Sequence, residues 1–247
     1  MNRILTFAAA AFFAFASTSF SQAVPTKKNS RPSDGAVSEK PAPKEFVPVY
    51  SYEFENPKFH VSHVKIDHDE AGVGRVTFRK LDYEEDITEP LELSEGTLSH
   101  LKTLWGELNF LASTEELQSP VRDYGHLGTM TISMAKDGKG REVSFNWTEI
   151  EEAKELTDEY KKIGNQFIWI FDIDVARKNQ PLETPRIMKG LDSSLRRGAI
   201  SDPKQMLPFL RELKDDERLP LIARNHAERL IAKIEKEKEK KQDGQDR

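Results

Sequence analysis

The chain has 247 residues, with 37 Lys and Arg against 42 Asp and Glu for a net charge of −5, and no cysteine. A mildly acidic, mixed-sign balance argues against a nucleic-acid binder, which carries a basic excess. The missing cysteine excludes disulfides, thiol catalysis, thiolate metal sites and a lipid-modified cysteine, so any core has to be large enough to hold without cross-links.

Residues 1–23 read as a signal peptide: Arg3 supplies the positive end, residues 4–16 the apolar run and Ser21-Gln22-Ala23 a small-x-small cleavage site. The expectation is an exported bacterial protein of the periplasm or extracellular space. The apolar run is shorter than the roughly 20 residues a spanning helix needs, and no later segment is long and uncharged enough, so the chain reads as not membrane-spanning. Residues 24–45, with Pro25, Pro32, Pro41 and Pro43 and almost no apolar content, read as a disordered spacer.

Between Pro48 and Pro57, Val49, Tyr50, Tyr52 and Phe54 read as an extended edge segment laid on the core. Residues 59–67 and 74–81 form a predicted hairpin around residues 68–73, and the second strand alternates, with Val76 and Phe78 on one side, joined in this reading by Lys80, and Thr77 and Arg79 on the other. A third run, 87–93, leads into Ser94, an N-cap for a helix carrying Leu98, Leu101, Leu104, Trp105, Leu108 and Leu111. Residues 129–136 and 141–147 flank Asp137-Gly138-Lys139-Gly140, the strongest hairpin signal in the chain.

Residues 148–179 then hold Leu156, Tyr160, Ile163, Phe167, Ile170 and Phe171 at a 4-3-4-3 spacing, with Thr148 and Glu151 placed as a capping box. The reading adopted is one continuous helix of about 45 Å, with Phe167 and Phe171 touching both a sheet layer and a helical extension. Its rival ends the helix at Gly164-Asn165 and continues as a strand with Phe167, Trp169, Phe171, Ile173 and Val175 on one face. Beyond it, Thr184-Pro185, Asp202-Pro203 and Leu219-Pro220 each start a further helix.

The resulting class is α+β: an antiparallel sheet with helices on one face (β-β-β-α-β-β-α) followed by a C-terminal helical extension. The boundaries are signal peptide 1–23, spacer 24–45, α+β domain 46–179, helical extension 180–236 and charged tail 237–247. The element order, with a helix closing on Leu108-Asn109-Phe110-Leu111 before an Asp-Gly hairpin, resembles small exported bacterial ββαββα domains, among them emfourin-like inhibitors of secreted metalloproteases. The resemblance covers about residues 59–170, rests on pattern alone and carries over no residue role. Residues 207–216 followed by Ala223, Ala227, Leu230 and Ile234 resemble one HEAT-type helical hairpin.

Chemistry is sparse. Asp67-His68-Asp69-Glu70-Ala71-Gly72 starts like a calcium loop, but position 5 is Ala71 and position 12 is Phe78, so it reads as a charged hairpin turn in which replacing His68 and Asp69 together is nearly neutral. A zinc on His60, His63 and His68 with Asp67 or Asp69 is opposed by strand alternation, which sends His60 and His63 to opposite faces. The pairs Asp172/Asp174 and Asp215/Asp216 read as solvated, with Asp172 partly buried and paired to Arg177 or capping a helix, and Trp105, Trp147 and Trp169 read as core anchors. No catalytic, cofactor or metal residue is assigned. The expected function is non-enzymatic binding of another envelope or secreted protein, with the polar sheet face bearing Lys65, Thr77, Arg79, Thr131 and Ser144 as one candidate surface. The alternatives are inhibition of a secreted protease, or a hydrolase or metal-dependent enzyme in which a cleft gathers His60 or His63 with acids.

Overall fold

The computed structural model describes residues 45–245. The signal peptide, all of the spacer but Glu45, and the side chains of the charged tail lie outside the described residues. Among those residues, six strands build one antiparallel sheet: β1 (Tyr50–Glu55), β2 (Val61–His68), β3 (Val73–Lys80), β4 (Ile87–Glu92), β5 (Thr129–Lys136) and β6 (Lys139–Phe145), in the order β4-β3-β2-β1-β5-β6. Five helices accompany it: α1 (Glu95–Glu107), α2 (Glu151–Asn179), α3 (Thr184–Arg196), α4 (Leu207–Asp215) and α5 (Leu221–Gln245). The chain is therefore α+β, with its C-terminal region helical, and no described helix is long and apolar enough to cross a membrane.

The segment expected at the edge is instead central, since β1 pairs β2 on one side and β5 on the other. Pro48 and Pro57 fall outside Tyr50–Glu55, so neither interrupts the ladder, and Tyr50, Tyr52 and Phe54 face the helices while Ser51, Glu53 and Glu55 face away. Pro90 sits in β4, an edge strand, where the missing N–H costs no ladder bond. Asp137 and Gly138 both take positive φ, 53° and 74°, and place Lys136 opposite Lys139 in a two-residue hairpin, so β6 starts two residues earlier than the sequence reading.

α2 is a single helix, which overturns the strand alternative at 166–175. Its start differs from the capping box: the helix begins at Glu151, and Thr148 Oγ1 accepts from the Ile150 N–H at 3.2 Å, leaving Glu151 and Glu152 to favour the positive end of the dipole. Gly164 lets the helix approach the sheet, since an added Cβ would lie 3.2 Å from Val64 Cγ1. Two cores meet on this helix. Leu156, Tyr160 and Ile163 pack with Tyr52, Ile66, Phe78, Leu101 and Trp105, and Phe167 and Phe171 join that sheet-side core. Trp169, Ile170 and Ile173 turn instead toward Met188, Leu191, Met206, Leu210 and Leu230. The expectation that Phe167 and Phe171 each touch both bodies is therefore corrected: residues one or two apart on a helix, as Phe171 is from Ile170, Trp169 and Ile173, point to different sides, and the sharing is by the helix as a whole.

Candidate functional site

His68 belongs to the core, not to a turn. It is 0% exposed at the end of β2, on the same side as Val64 and Ile66. Its Nδ1 lies 2.8 Å from the Asp69 carbonyl, which only accepts, so Nδ1 carries the proton; Nε2 then accepts from the Tyr160 hydroxyl at 2.8 Å, and that oxygen accepts from Trp105 Nε1 at 3.1 Å. Burial pushes the His68 pKa down and the Tyr160 pKa up. The following turn is closed by Asp69 Oδ1, which takes the Ala71 and Val73 N–H groups at 2.8 and 2.9 Å. His63 lies on the opposite, polar face, beside Glu53, while His60 is exposed beyond the start of β2, so the three histidines do not converge.

The acid pairs also part company. Asp172 bonds Lys80, which is only 6% exposed, rather than Arg177. Arg177 binds Asp216 at 2.6 Å, and Arg218 and Arg177 together hold the Asp216 carboxyl well below the usual carboxylate range. On the polar face, Thr88, Thr77, Lys65, Glu53, Thr131 and Ser144 occupy one cross-strand row, with Arg79 one register step away. Its hydroxyls pair with one another, Thr77 with Thr88 at 3.1 Å and Thr131 with Ser144 at 2.8 Å, and Lys65 stands 3.6 Å from Glu53.

The unsatisfied surface is on the helix side. A groove of about 940 Å³ runs between the sheet floor, with Tyr52, Phe54, Val64 and Met130, and a wall of α2 made by Lys161, Gly164, Asn165, Ile168, Trp169 and Asp172. These α2 residues recur at steps of three and one, a single helical stripe. Leu127, Asn146, Trp147, Lys58, Phe59 and His60 complete the lining. Phe59 and Leu127 remain 42% and 40% exposed, and the Trp147 Nε1 and Tyr52 hydroxyl are buried without a hydrogen-bond partner among the described residues. Past His60, Trp169 and Asp172 the groove continues as a polar lobe of about 620 Å³ lined by Lys80, Tyr83, Asn179, Glu183 and Arg186.

Of the three tryptophans, only Trp105 is fully in the core; Trp147 and Trp169 are half-buried groove walls. His60 and Asp172 do share this groove, but the carboxylate is engaged by Lys80, and the residues lining both lobes include no serine, threonine or cysteine. Sequence reasoning missed Phe59, Leu127 and Met130 as site residues. The available signal was two large apolar residues, Phe59 and Leu127, in otherwise polar connections. No protein-family model matches the chain, and no curated protein matches it.

Proposed function

We propose that the protein is a non-enzymatic binding protein of the bacterial envelope or secretome that seats an amphipathic segment of another exported protein in the groove beside α2. The observation that carries this reading is the two-part lining: an apolar lobe walled by Trp147, Ile168 and Trp169 runs into a charged lobe holding Lys80, Asp172, Glu183 and Arg186. Open apolar grooves of several hundred Å³ with a few placed polar groups are the usual form of binding sites. An elongated site that changes polarity along its length fits a chain segment whose apolar side chains are followed by charged ones. The polar sheet face is the weaker surface for such a segment, because it is flanked by no groove among the described residues and its hydroxyls already pair with one another. Hydrolysis is disfavoured by the lining, which offers no hydroxyl or thiol nucleophile from serine, threonine or cysteine beside His60.

The test is photo-crosslinking from position 127, followed by affinity capture with wild-type protein and with Phe59→Asp/Leu127→Asp. Both substituted residues are exposed, so the variant is expected to fold. The expected result is one exported protein crosslinked at 127, retained by wild type and weakened at least tenfold by the double variant. Equal retention by the variant, or co-purification of a small amphiphile alone, overturns the proposal.

A further inference from the structure

We propose that Glu53, Glu55 and His63 form a divalent-metal site on the polar face of the sheet, opposite the groove. Glu53 and Glu55 stand two residues apart on β1 and therefore on one face, and His63 pairs directly with Glu55 across the β1–β2 ladder. One ligand atom from each of the three lies within 4.8 Å of the others. The β2–β3 register shifts between Val61 and His63, a bulge-like irregularity of the kind that re-aims a side chain, and the imidazole Nε2 ends 2.8 Å from Glu53 Oε1.

The neighbouring charges offset this cluster only in part. Arg79 is held by Asp86 at 2.8 Å, Lys65 reaches only the other Glu53 oxygen at 3.6 Å, and no hydrogen bond or ion pair among the described residues holds Glu55. Two carboxylates and one imidazole therefore share a small volume with one loosely engaged lysine and with Arg79, which pairs with His63 across the β2–β3 ladder and feels the Glu55 charge while Asp86 holds its guanidinium. Glu53 Oε1 only accepts, so His63 Nε2 carries a proton and donates to it, while Nδ1 is buried without a partner among the described residues. A metal replaces that proton at Nε2. Tetrahedral zinc, with bonds of about 2.0–2.2 Å to nitrogen and oxygen, spaces its ligand atoms about 3.4 Å apart, a closure that two glutamate side chains accommodate by rotation. One imidazole and two carboxylates suit zinc or a neighbouring first-row divalent ion and leave a fourth position to water.

The measurement is calorimetric titration of the full chain with zinc chloride, paired with thermal melts. The expected outcome is one equivalent bound, a higher Tm with zinc, and at least tenfold weaker binding in both His63→Ala and Glu55→Gln, with His126→Ala unchanged. Glu55 is exposed, so Glu55→Gln keeps the test valid if the histidine variant folds poorly. Absence of binding overturns the site, as does binding that survives both variants or disappears with His126. The site and the groove lie on opposite faces, so neither outcome bears on the proposed partner segment.

Discussion

The buried chain from Trp105 through Tyr160 to His68 fixes how the two helices sit on the sheet, because each donor has one acceptor and any slip orphans a buried polar atom. It also makes stability depend on pH. Burial is the largest cause of the lowered His68 pKa, only partly offset by the Asp69 carbonyl and the Asp69 and Asp67 carboxylates. The folded state holds the ring neutral, whereas the unfolded chain takes a proton near pH 6.5. The stabilisation is therefore complete above about pH 6.5 and is lost as pH falls below it, at no more than about 1.4 kcal/mol per pH unit, levelling off once the folded form also protonates. Urea denaturation at pH 7.5 and 5.5 is expected to show this loss in wild type and a smaller one in His68→Gln; the half-buried His226, also lowered, contributes in both. At pH 7.5, His68→Ala is expected to cost about 2–4 kcal/mol, since it leaves a cavity and an unpaired Tyr160 hydroxyl. The turn reading of His68 forecast almost no cost. The parity with Val64 and Ile66 was visible in the sequence, but the acidic neighbours on either side made the position look solvated.

At the scale of elements, periodicity carried most of the information. The stripe from Leu156 to Phe171 marked α2, and Asp137-Gly138 marked its hairpin, because both signals are local. What was not legible depends on distant partners: the central place of β1 follows from pairing with β2 and β5, and no local pattern distinguishes an edge strand from a middle one when prolines bracket it. The α2–α3 contact is of the same kind. Trp169 rests in a notch at Gly190, where an added Cβ would lie 2.5 Å from the ring's Cη2. Alanine improves helix propensity by about 1 kcal/mol in a helix interior, but the clash obliges the ring to move, and overpacking of this kind costs about 1–3 kcal/mol. Gly190→Ala is expected to be destabilising by urea denaturation and to alter tryptophan fluorescence, because the displaced Trp169 is also a groove wall. A more stable variant with unchanged emission means that the notch has room and that α3 does not set the position of this wall.

The whole molecule is two cores threaded by one helix. Ile173 is fully buried among α3, α4 and α5, while Leu156 and Tyr160, about three and a half to five turns before it, are fully buried against the sheet. Polar contacts stitch the layers as well: Ser201 bonds Glu159, Asn165 Nδ2 donates to the Ala199 carbonyl at 3.2 Å, and Gln205 Nε2 donates to the Glu92 carbonyl at 2.9 Å. Neither layer can then unfold without stripping one side of α2. Burying a large apolar side chain contributes about 1.5–3 kcal/mol, so uncovering Trp169, Ile170 and Ile173 together removes an amount comparable with the whole stability of an ordinary domain. Thermal unfolding followed by near-ultraviolet and far-ultraviolet circular dichroism is expected to give coincident single transitions. Deleting residues 185–247 is expected to leave a protein that aggregates or binds hydrophobic dyes, because the apolar back of α2 becomes a contiguous exposed patch. A truncated protein that stays monomeric, with the native sheet signature and an unchanged melting midpoint, would show that the sheet layer folds alone and that the helical layer is a passenger on α2. In that case the polar lobe of the groove would lose Arg186, Ile187 and Gly190 from its lining, while every residue lining the apolar lobe would be kept.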